Sequence, residues 1–267
     1  MIQQFFKPST VQEALALKDK YGTSIAWFGG GTHINHADFC DTYDKVISLE
    51  KLGLRTLQKK DNRVSIKACV TFQELADSDK LPNSLRQAAA RSCPRTIRNM
   101  ATIGGDIGAG TFHTQLAPCL IALSSIVTTG DDIEILLEDY LRQNNQSLIL
   151  EISIPTTGRI CGVRSAANQA NGPVIVSTAV GMDRSSTGKI ENVIVVLKSN
   201  NEEITRLTTI ENGIHDGAFT DREGIEKAVA ECVNPKADIL GSAVYKKHII
   251  CCAIADCVMD CLEGDPS

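Results

Sequence analysis

The segment Ser24-Ile-Ala-Trp-Phe-Gly-Gly-Gly-Thr32 joins a short apolar strand to a run of three glycines. Upstream of it, Thr10-Val-Gln-Glu13 has the spacing of a capping box, which predicts a helix that begins there and ends at Gly22. Lys45-Val-Ile-Ser-Leu49 predicts a further strand. The opening therefore predicts a small α/β unit, with the glycines at the carboxyl end of a strand, where such sheets usually bind ligands.

A second glycine-rich segment, Thr102-Ile-Gly-Gly-Asp106, follows a stretch from Pro94 onward that we expect to be irregular. Glycine lacks Cβ, so successive backbone N–H groups in either segment can converge on one anion, such as a pyrophosphate. Neither segment matches a Walker A motif or Gly-x-Gly-x-x-Gly. A tight turn without a ligand is the alternative for either segment taken alone.

The rest of the chain alternates predicted strands and helices. Asp61-Asn62 predicts a hairpin turn, and Thr71-Phe-Gln-Glu74 predicts a second capping box. The further predicted helices cover residues 82–92, 116–123, 221–233 and 242–262. The further predicted strands cover residues 125–129, 133–136, 148–154, 160–165, 174–182 and 190–198. We place three units at residues 1–53, 54–158 and 159–267, with the last boundary in the segment 156–159.

Composition narrows the classes of function. Of the 267 residues, 43% are hydrophobic but only 4% are aromatic, which predicts aliphatic cores. The net charge of −5, without a basic block, argues against nucleic acid or an anionic membrane as the main partner. No run of about 18 apolar residues predicts a membrane span. The start lacks the pattern of a signal peptide, so we expect a cytoplasmic protein.

Cysteine and histidine residues, which often bind metals in proteins, cluster in two segments of the chain, and neither cluster requires a metal ion to explain it. Among ten cysteines, Cys251, Cys252, Cys257 and Cys261 cluster, but they lie in an apolar helical stretch and match no common ferredoxin spacing. We interpret them as reduced core thiols rather than iron–sulfur ligands. The segment His33-Ile-Asn-His36-Ala-Asp38-Phe-Cys40 is interpreted as a solvated loop, so no metal site is predicted. No spacing indicates a catalytic nucleophile, and the catalytic residues stay unknown.

Two long segments resemble a known family. Ala26-Trp-Phe-Gly-Gly-Gly-Thr-His-Ile34 resembles the first FAD-diphosphate loop of the flavoprotein subunit of molybdenum hydroxylases, such as xanthine dehydrogenase and aerobic carbon monoxide dehydrogenase. Arg95-Thr-Ile-Arg-Asn-Met-Ala-Thr-Ile-Gly-Gly-Asp-Ile107 resembles the second loop. The likeness spans nearly the whole chain. It implies an FAD-binding fold of two α/β subdomains, residues 1–53 and 54–158, followed by a C-terminal α+β domain, residues 159–267.

The resemblance also implies a set of cofactor-binding residues. The residues that would wrap the diphosphate are Trp27, Phe28, Gly29, Gly30, Gly31, Thr32, His33 and Ile34. Those that would form the opposing wall are Thr102, Ile103, Gly104, Gly105 and Asp106. Ile149 would make an apolar contact with the flavin, and Arg164 a basic contact with FAD. Arg91, Arg95 and Arg98 either help to neutralise the diphosphate or lie at solvated helix ends.

Three positions depart from the family pattern. Asp106 replaces the usual asparagine, which places a carboxylate near an anionic cofactor unless it bonds a ribose hydroxyl or a backbone N–H. Gln115 stands where many members carry aspartate, so we assign it no cofactor role. Asn168 stands where an arginine often occurs.

The function implied by the resemblance is electron transfer within a heteromeric complex. A molybdenum-cofactor large subunit would hydroxylate a heterocyclic substrate, and electrons would cross [2Fe–2S] clusters on a small subunit to FAD. FAD would then reduce NAD⁺ or another acceptor. The alternatives are a flavin-free scaffold subunit of such a complex and a stand-alone flavin oxidase.

Overall fold

The computed structural model describes residues 2–36, 42–110, 115–143, 147–156, 158–168, 174–199, 203–219 and 221–264. The chain forms two compact units. The first contains Met1–Lys80, Pro94–Phe112 and Ser125–Ile154, and the second contains Leu81–Cys93, His113–Ser124 and Pro155–Ser267. The proposed boundaries at residues 53 and 158 stay a prediction.

The described residues form twelve strands and ten α-helices. The strands are β1 (Gln4–Phe6), β2 (Ile25–Phe28), β3 (Lys45–Ser48), β4 (Leu57–Lys60), β5 (Arg63–Lys67), β6 (Ile126–Thr129), β7 (Glu134–Leu136), β8 (Ile149–Pro155), β9 (Ile160–Ala167), β10 (Val174–Arg184), β11 (Ile190–Ser199) and β12 (Thr205–Arg206). The helices are α1 (Val11–Tyr21), α2 (Phe72–Asp77), α3 (Asn83–Ser92), α4 (Arg95–Arg98), α5 (Ile103–Ala109), α6 (Leu116–Ala122), α7 (Leu137–Arg142), α8 (Thr208–His215), α9 (Arg222–Cys232) and α10 (Ala243–Glu263).

The first sheet of the first unit confirms the predicted strand–helix–strand opening. Its strands are parallel, in the order β1-β3-β2. Thr10 caps α1 by accepting from the backbone N–H of Glu13, and Gly22 follows the helix with φ +56°. Ala14, Ile25 and Ile47 form a fully buried core between helix and sheet. Gly29 directly follows β2, so the glycine run lies at the carboxyl end of a strand, as predicted.

The second sheet of the first unit has the order β4-β5-β8-β6-β7. The antiparallel pair β4–β5 confirms the hairpin predicted at Asp61, which takes φ +51° in the turn. The predicted capping box of α2 is complete. The Thr71 side chain accepts from the backbone of Glu74, and the Glu74 carboxylate accepts from the backbone N–H of Thr71 at 2.8 Å.

The second unit is built on an antiparallel sheet of order β12-β11-β10-β9. Its strands and the helices α9 and α10 lie close to the predicted bounds, whereas β12 and α8 were not predicted. Cys251, Cys257 and Cys261 are buried in its core, which confirms their interpretation as core thiols, whereas Cys252 is only partly buried. Burial raises the pKa of Cys261 to about 12, so this thiol stays protonated at neutral pH.

The prediction of an irregular stretch over residues 94–106 is wrong. It contains α4, which follows Pro94, and the start of α5, which Thr102 caps by accepting from the backbone N–H of Gly105. Three glycines inside a helix of seven residues argue against helix by propensity. Tertiary packing overrides that propensity here, because Gly104 lies directly against Ala68.

The structure describes only part of the segment from His33 to Cys40, which the sequence analysis interpreted as a loop. The histidines His33 and His36 are described, but Asp38 and Cys40 lie outside the described residues. Among the helices that the structure describes, none combines the length and apolar character needed to cross a bilayer.

Candidate cofactor-binding site

The first unit contains a cavity of about 360 Å³, within the size range of small-molecule pockets. Both glycine-rich segments line it, so the structure brings together the two segments that the sequence singled out. The predicted site residues on its wall are Trp27, Gly29, Gly30, Gly31, Thr32, His33, Ile34, Thr102, Gly104, Gly105 and Ile149.

The loop from Gly29 to Ile34 supplies unused hydrogen-bond donors. Gly31 takes φ +73°, and its carbonyl accepts from the N–H of Asn35 at 3.0 Å, which turns the chain sharply after β2. Within the described residues, no protein oxygen accepts from the backbone N–H groups of Gly29, Gly30, Gly31, Thr32 and Ile34. Several unpaired N–H groups in one short loop on a cavity wall form a ready site for an anion.

The two segments are packed backbone to backbone. A Cβ atom added to Gly30 would lie 1.6 Å from the carbonyl oxygen of Met100, and one added to Gly29 would lie 2.9 Å from Oγ1 of Thr102. Only glycine allows this approach, because real Cβ contacts are never that short. The first loop is therefore fixed in place by the chain that leads into α5.

The second segment contributes a wall but no comparable run of free donors. The N–H groups of Ile103 and Gly104 donate to the carbonyls of Val70 and Ala68 at 3.0 and 2.9 Å. The N–H of Gly105 donates to Oγ1 of Thr102, and that of Asp106 donates to the Thr102 carbonyl. The N–H groups from Ile103 to Asp106 already have partners within the fold, and the role of this segment in FAD binding stays a prediction.

Four predicted residues lie elsewhere. The Phe28 ring packs edge-on against Phe5, with the ring centroids 5.3 Å apart, and Ile103 is fully buried. Asp106 lies in the first turn of α5, outside the residues that line the cavity. Arg164 belongs to β9 of the second unit, where its guanidinium pairs with Asp260. The FAD contacts assigned to these residues stay predictions.

The remaining positions named from the sequence have partners within the fold. The buried Gln115 donates through Nε2 to Oγ of Ser165, and Asn168 donates through Nδ2 to the Leu240 carbonyl at 3.1 Å. Arg98 donates through Nε to the side-chain oxygen of Gln73 at 3.1 Å. The cavity lining includes none of the three arginines considered for the diphosphate, which are Arg91, Arg95 and Arg98.

Sequence reasoning missed Lys18 and Tyr140, which also line the cavity. Lys18 Nζ donates to the Ile25 carbonyl at 2.9 Å and lies 6.0 Å from the centroid of the Trp27 ring. Partial burial lowers the pKa of Lys18. The Tyr140 hydroxyl donates to the Ser147 carbonyl at 2.9 Å, and burial raises the pKa of Tyr140 to about 12. A lysine in the last turn of a helix is ordinary, so the sequence carried no signal for it.

Comparison with known protein families identifies the family to which the chain belongs. Residues 1–157 match the family described as the FAD binding domain in molybdopterin dehydrogenase. The chain belongs to this family. Its cofactor is FAD, and it is the FAD-binding subunit of a molybdenum hydroxylase family complex, which makes it part of an oxidoreductase.

Relatives resemble this FAD-binding subunit over much of its length. It is 31% identical to the Escherichia coli (strain K12) protein YgfM over 264 residues, which cover 99% of this chain and 98% of YgfM. It is 23% identical over 214 residues to subunit alpha of the 6-hydroxypseudooxynicotine dehydrogenase complex of Paenarthrobacter nicotinovorans, which cover 74% and 72% of the two chains.

Solved structures confirm the predicted fold class. A chain of carbon monoxide dehydrogenase from Hydrogenophaga pseudoflava superposes with a TM-score of 0.85 at 20% identity, covering 97% of this subunit and 96% of that chain. A chain of quinoline 2-oxidoreductase from Pseudomonas putida 86 gives a TM-score of 0.85 at 14% identity, covering 100% and 99%. The mixed α/β architecture is therefore that of a known fold.

Proposed function

We propose that the loop from Gly29 to Ile34 holds the diphosphate of FAD, and that the segment from Thr102 to Gly105 closes the opposite side. The observation that carries this proposal is the set of backbone N–H groups at Gly29, Gly30, Gly31, Thr32 and Ile34, for which the described residues provide no acceptor. An anion bound there would satisfy donors that otherwise meet only water. A neutral ligand would leave most of them unsatisfied.

Other residues would position the rest of the cofactor. Ile149 and Leu148 line the cavity and would help to exclude water from a flat ring. The Thr32 hydroxyl would add a donor beside the diphosphate.

The electron-transfer role follows from the chemistry of the cofactor. Bound FAD exchanges electrons singly with iron–sulfur clusters and as a pair with a nicotinamide. We propose that this chain joins a molybdenum-cofactor large subunit and a [2Fe–2S] small subunit in a xanthine dehydrogenase-like complex in the cytoplasm. The proposed acceptor is NAD⁺ or another electron acceptor. The chain's own task is to bind and orient FAD, and it needs no nucleophile for that task.

An absorbance spectrum of the purified protein tests the proposal. We expect a yellow protein with a flavin band near 450 nm, and denaturation should release FAD at about one per chain. A colourless protein that binds no added FAD would contradict the proposal and favour a flavin-free scaffold. Bleaching of the flavin by an organic substrate without partner subunits would instead favour a stand-alone oxidase.

The acceptor is tested separately. The protein is reduced chemically under anaerobic conditions, freed of reductant and mixed with NAD⁺. Recovery of the flavin band together with new NADH absorbance would support NAD⁺ as acceptor. Recovery only with an artificial acceptor would contradict that part of the proposal.

A further inference from the structure

One charged side chain, that of Lys18, is found among the described residues that line the cavity. Of the residues that line this cavity in the described part of the chain, Lys18 is the only lysine, arginine, aspartate or glutamate. The diphosphate of FAD carries two negative charges. The neutral N–H dipoles of the glycine loop can solvate these charges but cannot cancel them.

The ammonium of Lys18 is held in place by the fold, and the described residues give it no counter-anion. Its Nζ donates one hydrogen bond to the Ile25 carbonyl at 2.9 Å and lies over Trp27. No carboxylate among the described residues forms an ion pair with it. An ammonium has three donors, so two have no protein acceptor among the described residues. A half-buried charge without a partner costs free energy, which a bound anion would offset.

We propose that Lys18 supplies the positive charge that balances the cofactor diphosphate. This inference rests on the proposed function. Lys18 donates to the carbonyl of Ile25 at the start of β2, and Ile25 lies four residues, or about 13 Å along the strand, before Gly29. It therefore acts through space across the cavity rather than sharing the loop's hydrogen bonds. Attraction over such a distance is much stronger in a partly desolvated cavity than in bulk water.

Lys20 offers a matched control. It lies in the same last turn of α1, but it is exposed, does not line the cavity, and places its ammonium over the Tyr21 ring at 5.1 Å. Lys18→Gln removes the charge and keeps a polar side chain of similar length. Lys18→Arg keeps the charge, and Lys20→Gln removes an equal charge outside the cavity.

The test is the affinity of the full-length, flavin-free protein for charged and neutral ligands, measured at low and at high salt. In Lys18→Gln, FAD and ADP should bind about tenfold more weakly at low salt, and the difference should shrink as salt rises. Riboflavin and adenosine, which carry no diphosphate, should bind as they do to the wild type. Lys18→Arg and Lys20→Gln should bind all four ligands with wild-type affinity.

Each of three other outcomes of this binding experiment would contradict a specific part of the account. Unchanged affinity of Lys18→Gln for FAD and ADP would overturn the inference while leaving the proposed function intact. Equal weakening for the neutral ligands, with a lower unfolding temperature of the ligand-free protein, would assign Lys18 a purely structural role at the Ile25 carbonyl. A wild-type protein that binds neither FAD nor ADP would overturn the proposed function, and this inference with it.

Discussion

Gly30→Val is expected to abolish FAD retention and to lower the stability of the first unit. Its Cβ atom would lie 1.6 Å from the carbonyl oxygen of Met100, and no rotamer can relieve an overlap with backbone. The loop must then move away from the chain before α5 and carry its N–H donors out of position. Overpacking of this kind typically costs about 1–3 kcal/mol. Flavin content after purification and thermal unfolding of the ligand-free protein measure the two effects.

Gly108→Ala is the matched control for the stability effect. Gly108 also lies on the wall of the cavity, but a Cβ atom there would meet no protein atom within 4 Å. Alanine within α5 should leave the stability of the ligand-free protein unchanged or raise it by up to about 1 kcal/mol. Full flavin content and an unchanged unfolding temperature in Gly30→Val would contradict the packing described for this loop.

Gly104→Ala is expected to destabilise the first unit far more than Gly105→Ala. A Cβ atom at Gly104 would lie 2.5 Å from Cβ and 2.9 Å from the carbonyl oxygen of Ala68. The Gly104 N–H donates to that same carbonyl at 2.9 Å, so α5 cannot shift without breaking the bond. We expect a loss of about 1–3 kcal/mol in the free energy of unfolding, and weaker FAD binding because this wall of the cavity moves.

The neighbouring Gly105 meets only a side chain. Its Cβ atom would lie 2.7 Å from Oγ1 of Thr102, which can rotate away. That rotation removes the cap of α5, at a cost of about 1 kcal/mol, and the better helix propensity of alanine offsets a similar amount. Urea denaturation of both variants measures the difference. Equal destabilisation by the two substitutions would contradict the distinction between backbone and side-chain neighbours.

Local sequence signals predicted most of the fold. The N-terminal cap at Thr10, the capping box at Thr71 and the turn at Asp61 depend on residues only a few positions apart, so their patterns can be read directly from the sequence. The position of Gly29 after β2 follows from an apolar strand that stops at glycine. α5 escaped prediction because its glycines oppose helix formation locally, and the contact that permits it is made with Ala68, far along the chain.

The sequence predicted which two segments would line the candidate site, but not which of their N–H groups already have partners or which lysine lies beside them. The sequence treats the two glycine segments alike, yet their N–H groups differ because the carbonyls of Val70 and Ala68 occupy those of the second segment. Nor does helical spacing single out Lys18 from Lys20, since both are basic residues in the last turn of α1. Only the fold places one of them on the cavity wall.

A crystal structure of the protein with bound FAD tests the central claim most directly. We predict diphosphate oxygens at about 2.7–3.2 Å from the backbone nitrogens of at least two of Gly29, Gly30, Gly31 and Thr32. The segment from Thr102 to Gly105 should line the other side of the diphosphate without donating the bonds that its N–H groups already make within the fold. A diphosphate bound elsewhere, with the glycine loop facing only solvent or protein, would contradict the claim.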